Sequence, residues 1–267
     1  MILDTIAAAT RRRVAQAQAA VPLEIIRDAA QDKAARGASP EQGPGFAEAL
    51  AAPGIAIIGE VKRASPSQGL IAPDFPYLRI AQEYEEAGAA AISVLTEPEF
   101  FLGSDTYLQE IAAAAHIPLL RKDFILDPYQ LYEAKVLGAS AVLLICALLD
   151  TRTLEQYLAL AERLGLACLT EVHRAEEVLS ALDAGARIIG INNRDLSTFR
   201  VDRGITSRLR RLIPPEVGTV SESGFQSAGD IRVLAELGID GVLIGEALMR
   251  ATDKKHYLAE LKGGGRI

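Results

Sequence analysis

The sequence predicts an α/β fold: a single (β/α)8 (TIM) barrel over residues 1–267, of which residues 1–54 form an N-terminal helical extension. Three observations carry that expectation. From Ile55 onward, short apolar runs alternate with amphipathic helical patterns, as parallel strands joined by right-handed crossovers require. Gly88-Ala89, Gly138-Ala139 and Gly185-Ala186 are near-copies of one helix-to-strand turn, so the βα unit recurs as a weak internal repeat. The polar residues within the apolar runs also gather at one end of each run. With 267 residues and 49% hydrophobic content, eight such units fit around one core. A doubly wound open sheet is the alternative, disfavoured because no glycine-rich dinucleotide loop follows the first strand.

Residues 1–54 stand apart. Asp4 is suited to cap a helix whose inward positions Ile6, Thr10, Val14 and Ala17 recur at near-fourfold spacing. Pro22, a second short helical pattern and a Gly/Pro-rich loop (Gly37 to Gly45) follow. This segment is expected to cover a surface of the barrel; a partner-binding arm is the other reading, with no charge pattern to favour it. The eight expected strands are Ile55–Lys62, Ala90–Thr96, Pro118–Phe124, Ala141–Cys146, Leu166–Val172, Ile188–Asn192, Gly218–Glu222 and Gly241–Gly245. Between them, Asp74 and Pro76 precede a helix with Tyr77, Ile80, Ala81 and Tyr84 on one face, ending at Gly88. Asp127-Pro128 places a cap before a helix that stops at Gly138. Leu154, Tyr157, Leu158 and Ala161 are expected to face inward on the next helix, which ends at Gly165; later helices end at Gly185 and Gly238. A short helix (Ala247, Leu248, Met249) begins after Gly245.

Composition narrows the function classes. A net charge of −7 argues against a nucleic-acid footprint, which needs clustered excess base. The one basic block, Arg11-Arg12-Arg13, is expected on a solvated helix face. Cys146 and Cys168 are too few and too far apart for a zinc pattern, and both lie in apolar runs where a reduced thiol acts as a small hydrophobe. His116, His173 and His256 are dispersed, so no metal and no cofactor are implied. No long apolar stretch suggests a membrane span, the N-terminus lacks a basic region before its apolar residues, and a cytoplasmic setting is expected.

In a barrel, every strand opens its C-terminal end on one face, so residues remote in sequence converge there. Glu60 and Lys62 share the parity of the first strand and project to one side. The third strand adds Lys122 and Asp123, the fifth Glu171, the sixth Asn192 and Arg194, the seventh Glu222 and Ser223, and the eighth ends in Gly245. Burying one such residue costs desolvation that a salt bridge offsets; an alignment across most strands points to a functional site. Ser223-Gly224 and Gly245-Glu246 let backbone amides approach an anion, where barrels often place a phosphate. Glu246 sits awkwardly there, which its amide facing the anion and its side chain facing solvent would resolve. Glycines needed only for tight turns are the plainer account.

These runs resemble indole-3-glycerol phosphate synthase. The similar segments are Gly59–Gly69 (Gly-Glu-Val-Lys-Arg-Ala-Ser-Pro-Ser at its start), Phe101-Leu102-Gly103-Ser104, Leu119–Phe124, Gly190–Leu196 (Gly-Ile-Asn-Asn-Arg-Asp-Leu), Ser221–Phe225 and Leu243–Arg250. They keep their order from about residue 50 to about residue 250, and the N-terminal extension fits the family. Gly-Ser is frequent in that family where this chain has Gly245-Glu246.

The resemblance implies a lyase of tryptophan biosynthesis that closes the indole ring of 1-(2-carboxyphenylamino)-1-deoxyribulose 5-phosphate with loss of carbon dioxide and water. It implies Lys122 as the general acid on the ketone, with Glu171 and Lys62 sharing the dehydration in an order the sequence leaves open. Glu60 would hold Lys62 and a substrate hydroxyl. Asn192 and Arg194 would orient the carboxylate and hydroxyls, Arg194 bidentately. Substrate would be bound by Arg194, Ser65, Phe101, Ser223, Gly224, Leu243, Gly245 and Glu246: Ser65, Ser223, Gly224 and Gly245 at the phosphate, Phe101 against the anthranilate ring. Pro66 and Gly69 suggest a hinged lid, and Asp123 a partner for Lys122. The expected partner is a small phosphorylated substrate, and association with other enzymes of the pathway is left open. Three other readings share the fold: a Schiff-base aldolase or synthase using Lys62 or Lys122 on a sugar phosphate, an isomerase with one acid–base pair, and a non-catalytic phosphate binder.

Overall fold

In the computed structural model, which describes residues 2–37, 43–195 and 198–264, eight strands form a closed parallel barrel. They are β1 (Ala56–Val61), β2 (Ala91–Leu95), β3 (Leu119–Lys122), β4 (Ala141–Ile145), β5 (Ala167–Val172), β6 (Ile188–Asn192), β7 (Gly218–Glu222) and β8 (Gly241–Ile244). Each pairs with its sequence neighbour, and β8 returns to β1 with Ala56 opposite Gly241 and Gly59 opposite Ile244, which leaves no edge. β6 and β7 match their apolar runs, and the other strands are one to three residues shorter, so Lys62, Thr96, Asp123 and Gly245 lie just past strand ends. Residues 38–42 of the Gly/Pro-rich loop, and Leu196 of the Gly190–Leu196 run, lie outside the described residues.

Strand alternation sorts the core into two shells. Ile58, Leu120, Leu143, Leu169, Val220 and Leu243 fill the lumen; Phe46 and Leu50 of α3 (Phe46–Leu50) join that cluster. Being 1% and 4% exposed, they plug the N-terminal end and leave the C-terminal mouth for chemistry. Side chains of opposite parity, such as Ile57, Ile92, Val142 and Ile189, pack outward under the helices. The buried stripe of α4 (Tyr77–Glu86) is Ile80, Ala81 and Tyr84, as its spacing predicts, and Tyr84 covers the bare backbone of Gly59. Gly88, Gly138 and Gly185 all take positive φ (80°, 98° and 86°), the left-handed turn that ends a helix and that a Cβ disfavours.

Three local expectations change. Asp4 lies inside the first turn of α1 (Ile2–Ala20), whose start is three residues earlier than a cap at Asp4 requires. On α7 (Thr151–Arg163) the buried stripe is Leu154, Tyr157, Leu160 and Ala161; Leu158 is only partly buried, because three- and four-residue steps from Tyr157 reach 160 and 161. The arginine block is not wholly solvated. Arg11 and Arg12 are exposed, but Arg13 turns in and donates to the Thr96 carbonyl (3.3 Å) and Asp123 Oδ1 (2.6 Å), latching α1 to the ends of β2 and β3. Among the described residues no helix is long and apolar enough to cross a membrane.

Candidate active site

The inward parity of the lumen continues past the hydrophobic plug into charge. Ile58 is followed on its face by Glu60 and Lys62, Leu120 by Lys122, Leu169 by Glu171 and then His173, Val220 by Glu222, and Leu243 by Gly245. Glu60, Glu171 and Glu222 are 4%, 3% and 2% exposed, so three carboxylates share a largely dry site. Such crowding requires cations to offset it.

Lys122 supplies the first. Its Nζ lies 3.2 Å from Glu171 Oε2 and bonds Glu222 Oε2 on the other side. Burial works against its charge, but Glu222, Glu171 and Glu60 outweigh it and hold the ammonium well above the ordinary lysine range. Burial likewise pushes Glu171 up, yet Lys122, His173 and a hydrogen bond from Asn192 bring it below the usual carboxylate range. Glu222 goes the other way: burial and its two neighbouring glutamates prevail over Lys122 and raise it from 4.5 to about 7. Its Oε1 is buried with no hydrogen-bond partner in the described structure. That oxygen occupies the space a Cβ on residue 190 would fill, so Gly190 on β6 is what admits the Glu222 carboxyl.

Lys62, the second cation, is ion-paired with Glu60. A Cβ at Gly245 would collide with the Glu60 carboxyl and reach 2.8 Å from Lys62 Nζ, so this glycine brings the β8 backbone up to the pair. Gly245 precedes α11 (Glu246–Arg250), where the first helical bond is Met249 N–H to the Gly245 carbonyl. Five residues give little macrodipole, so what this end offers an anion is its first-turn amides. The Glu246 side chain turns along the helix to accept from Arg250 Nε at 3.1 Å, as an outward-facing side chain should. Ser223 and Gly224 are successive positive-φ residues (67° and 94°), a costly conformation for the serine. Asn193 holds it in place: its Nδ2 donates to Ser221 Oγ, the Glu222 carbonyl and the Ser223 carbonyl at 2.9–3.1 Å.

The remaining expected residues divide. The Arg194 amide donates to Asn192 Oδ1 (3.0 Å), and its Nη1 is held by the Phe199 carbonyl (3.2 Å), which orients the guanidinium at the rim. Phe101 faces Phe124, centroids 6.0 Å apart. Its loop is fixed by buried Glu97, whose carboxylate accepts the amides of Glu99, Phe100 and Phe101 (2.7–3.1 Å). Ser65 lies on a small hairpin, Ala64–Ser65 with Gly69–Leu70, where its hydroxyl meets Gln68 N–H and Ser67. The hairpin base is pinned by Ile71 and Ala72 amides to the Arg63 carbonyl, while Gly69 takes φ +65°. The Leu243 side chain is part of the lumen floor, and its backbone pairs with Ile58 and Glu222 in the barrel wall. Asp123 is not a partner of Lys122. Having the opposite parity, it points outward to Arg13, Thr96 Oγ1 (2.6 Å) and Arg121 (3.5 Å), and these hold its carboxyl low despite burial.

Glu222 and His173 are the residues that the strand-end reading left without a role. Both carry the parity of a residue it singled out: His173 stands two after Glu171, and Glu222 ends β7 as Glu171 nears the end of β5. A wide groove of about 1400 Å³ lies at the opposite end of the barrel, lined by residues such as Gly45, Phe46, Pro118, Ser140 and Asp240. Its charged residues, among them Asp32, Lys33, Glu48 and Lys135, are exposed or half-buried and converge on no buried centre, so the mouth is the better site. Among the described residues no group of three or more His, Cys, Asp or Glu is arranged to hold a metal.

Comparison with known proteins agrees with this geometry. A family model described as indole-3-glycerol phosphate synthase matches residues 3–261. The chain is similar to proteins of that name from Ruminiclostridium cellulolyticum (51% identity, covering 98% of this chain and 99% of the relative) and Endomicrobium trichonymphae (51%, 98% and 100%). Among solved structures it resembles 3-hexulose-6-phosphate synthase from Salmonella typhimurium, with a TM-score of 0.65 over 79% of this chain and 98% of the other. At 15% identity that likeness speaks to the barrel alone.

Proposed function

The chain belongs to the indole-3-glycerol phosphate synthase family, carboxy-lyases of tryptophan biosynthesis, and from that premise we propose how the mouth of its barrel closes an indole ring. The observation that carries the proposal is the Lys122 ammonium held between Glu171 and Glu222, two carboxylates only 3% and 2% exposed.

Ring closure places negative charge on the ketone oxygen of 1-(2-carboxyphenylamino)-1-deoxyribulose 5-phosphate as the aryl carbon attacks. Lys122 is the acid: fixed by two carboxylates and fully protonated at neutral pH, it meets the growing alkoxide with a preorganised charge and gives it a proton. The same protonation argues against a Schiff-base route, which needs a free amine. Loss of carbon dioxide and rearomatisation follow. Dehydration then needs a donor to the leaving hydroxyl and a base for the amine proton, which the ring nitrogen regains as the adjacent methylene carbon gives up one of its own. Glu171, kept ionised by Lys122, His173 and Asn192, is the base, and Lys62 beside Gly245 is the donor, steadied by Glu60.

Substrate is positioned at both ends. Ser223, Gly224, Gly245 and Glu246 present amides to the phosphate with Ser65 across the loop, and Leu243 contributes through its backbone. Arg194 and Asn192 take the carboxylate and hydroxyls, while Phe101, backed by Phe124, offers its face to the anthranilate ring. The Ser65–Gly69 hairpin folds over as the lid. Residues 1–54 belong to the same domain through the Arg13 latch and the Phe46 plug, and the two free thiols suit a reducing cytoplasm. The test is fluorescence of indole-glycerol phosphate formed from the carboxyphenylamino substrate by the purified chain. Product is expected without added metal or cofactor; no product with soluble, folded protein overturns the assignment.

A further inference from the structure

His173 is only 11% exposed, yet neither ring nitrogen has a hydrogen-bond partner within bonding distance. It stands between two carboxylates: Nε2 is 3.5 Å from Glu171 Oε1, and Nδ1 is 3.5 Å from Glu177 Oε2. Glu177 lies in the first turn of α8 (Ala175–Asp183), and there it is held firmly. Its Oε2 accepts the His173 amide at 2.7 Å, and its Oε1 accepts Arg174 Nε and Nη2 at 3.1 and 2.9 Å. Glu177 is itself only 8% exposed, but its partner Arg174 is 71% exposed, so one ion pair separates the carboxylate from solvent. Helix capping alone accounts for Glu177. It does not account for an imidazole buried end-on between that cap and the base of the active site.

We propose that His173 is a positioning residue that acts through Glu171, linking it by way of Glu177 to the barrel's outer edge and returning it to the ionised state between turnovers. The inference rests on the dehydration role given to Glu171 above. Once Glu171 has taken the substrate's amine proton, its O–H bond breaks as Nε2 of His173 accepts that proton. The Nδ1–H bond breaks as Glu177 accepts in turn, and Glu177 releases its proton to solvent. One proton enters this path and one leaves, with no change of oxidation state. A flip of the ring restores the starting tautomer, and Lys122 and Lys62 regain from solvent at the mouth the protons they gave the substrate. Each step spans 3.5 Å, and such contacts tighten when substrate closes a site.

The surroundings suit a ring that titrates. Burial disfavours its charged form, but Glu177, Glu171 and, more weakly, Glu222 raise it above the ordinary histidine range. The thiol of Cys146, just past the end of β4, is pushed up to about 12, chiefly by burial with Glu177 and Glu171 adding to it, and stays neutral. Lys122, on the other side of Glu171, and Arg174, beyond Glu177, are the nearby cations.

The test uses His173→Gln, His173→Ala and Glu177→Gln in the full chain, with kcat and KM measured from acid to alkaline pH. His173→Gln is expected to lower kcat about tenfold to a hundredfold, with KM changed by less than about twofold, and to shift the pH profile of kcat. Added imidazole is expected to restore turnover to His173→Ala in proportion to its concentration. A merely structural histidine would give neither the profile shift nor the rescue. Should His173→Gln fail to fold, Glu177→Gln, which leaves the ring in place, is expected to show the same kcat loss. Folded variants with the parental kcat and pH profile overturn the relay, as does a kcat loss without rescue or profile shift. If the parental chain itself forms no indole-glycerol phosphate, the functional reading falls and this inference with it.

Discussion

Lys122 Nζ lies 3.2 Å from Glu171 Oε2, although the two residues come from β3 and β5, with β4 between them. The contact gives each residue the charge it needs: Glu171 keeps the ammonium protonated, and the ammonium keeps Glu171 ionised. On the proposed mechanism, the acid and the base of successive steps are thus set against each other in the resting enzyme.

Replacing Lys122 by Met removes the acid and leaves Glu171 and Glu222 facing each other uncompensated. Turnover is expected to fall by about two to four orders of magnitude, the usual cost of losing a positioned acid. The far-ultraviolet circular dichroism should stay parental. A folded variant with near-normal kcat would take Lys122 out of the mechanism.

Glu222 has a signature in stability. Its folded pKa is raised from 4.5 to about 7, so between those values the native state binds a proton that the unfolded state does not. Its contribution is therefore present at the acid end and is lost as pH rises through about 7. Glu222→Gln cannot lose that proton. Melting curves are expected to show the variant gaining on the parent as pH climbs across this window; a gap independent of pH would mean Glu222 is ionised throughout.

Gly245→Val drives a side chain into the Glu60–Lys62 pair and away from the close approach a phosphate needs. KM for the phosphorylated substrate is expected to rise by about tenfold or more, the cost of losing one or two charge-assisted hydrogen bonds. Crystals soaked in inorganic phosphate should show the anion against residues 223–224 and 245–246. An anion ordered elsewhere in the mouth would remove this cradle.

Arg13→Ala cuts the α1 latch and leaves the fully buried Asp123 with Thr96, Arg121 and its neighbouring amide. A loss of about 1–3 kcal/mol is expected at neutral pH, a fall of several degrees in Tm. Asp123 is depressed below 3.8, so its contribution is present above that value and fades as pH falls through its lower folded value. The gap between variant and parent should narrow in acid. An unchanged Tm at neutral pH would make the latch a bystander.

Much of the barrel could be read from the sequence because each unit is local: an apolar run, a helix with one buried stripe, and a Gly-Ala stop. The mouth was legible for the same reason, since Glu60, Lys62, Lys122, Glu171 and Asn192 inherit the parity of the aliphatic residues below them. The misreadings arose where parity was overlooked or contacts are long-range. Asp123 differs from Lys122 by one residue, so the pleat turns it outward to Arg13, 110 positions away. No local pattern announces that partner, which is why the arginine block passed for a solvated face. Leu158 exchanged places with Leu160 because a helix stripe drifts with its 3.6-residue turn. His173 was weighed only as a metal ligand, though its two-residue spacing from Glu171 was in plain view.

The division of labour between Lys122 and Glu171 is tested most directly by rapid-quench of Glu171→Gln. Lys122 retains Glu222 in this variant, so ring closure and loss of carbon dioxide should proceed, while the amide cannot take the amine proton. The measurement follows carbon dioxide and indole product in the same quenched samples. Carbon dioxide is expected to appear first, with a decarboxylated, still-hydroxylated intermediate accumulating before indole-glycerol phosphate. Carbon dioxide and indole appearing together at one reduced rate, with no intermediate, would contradict the late role of Glu171 and move it to the first step beside Lys122.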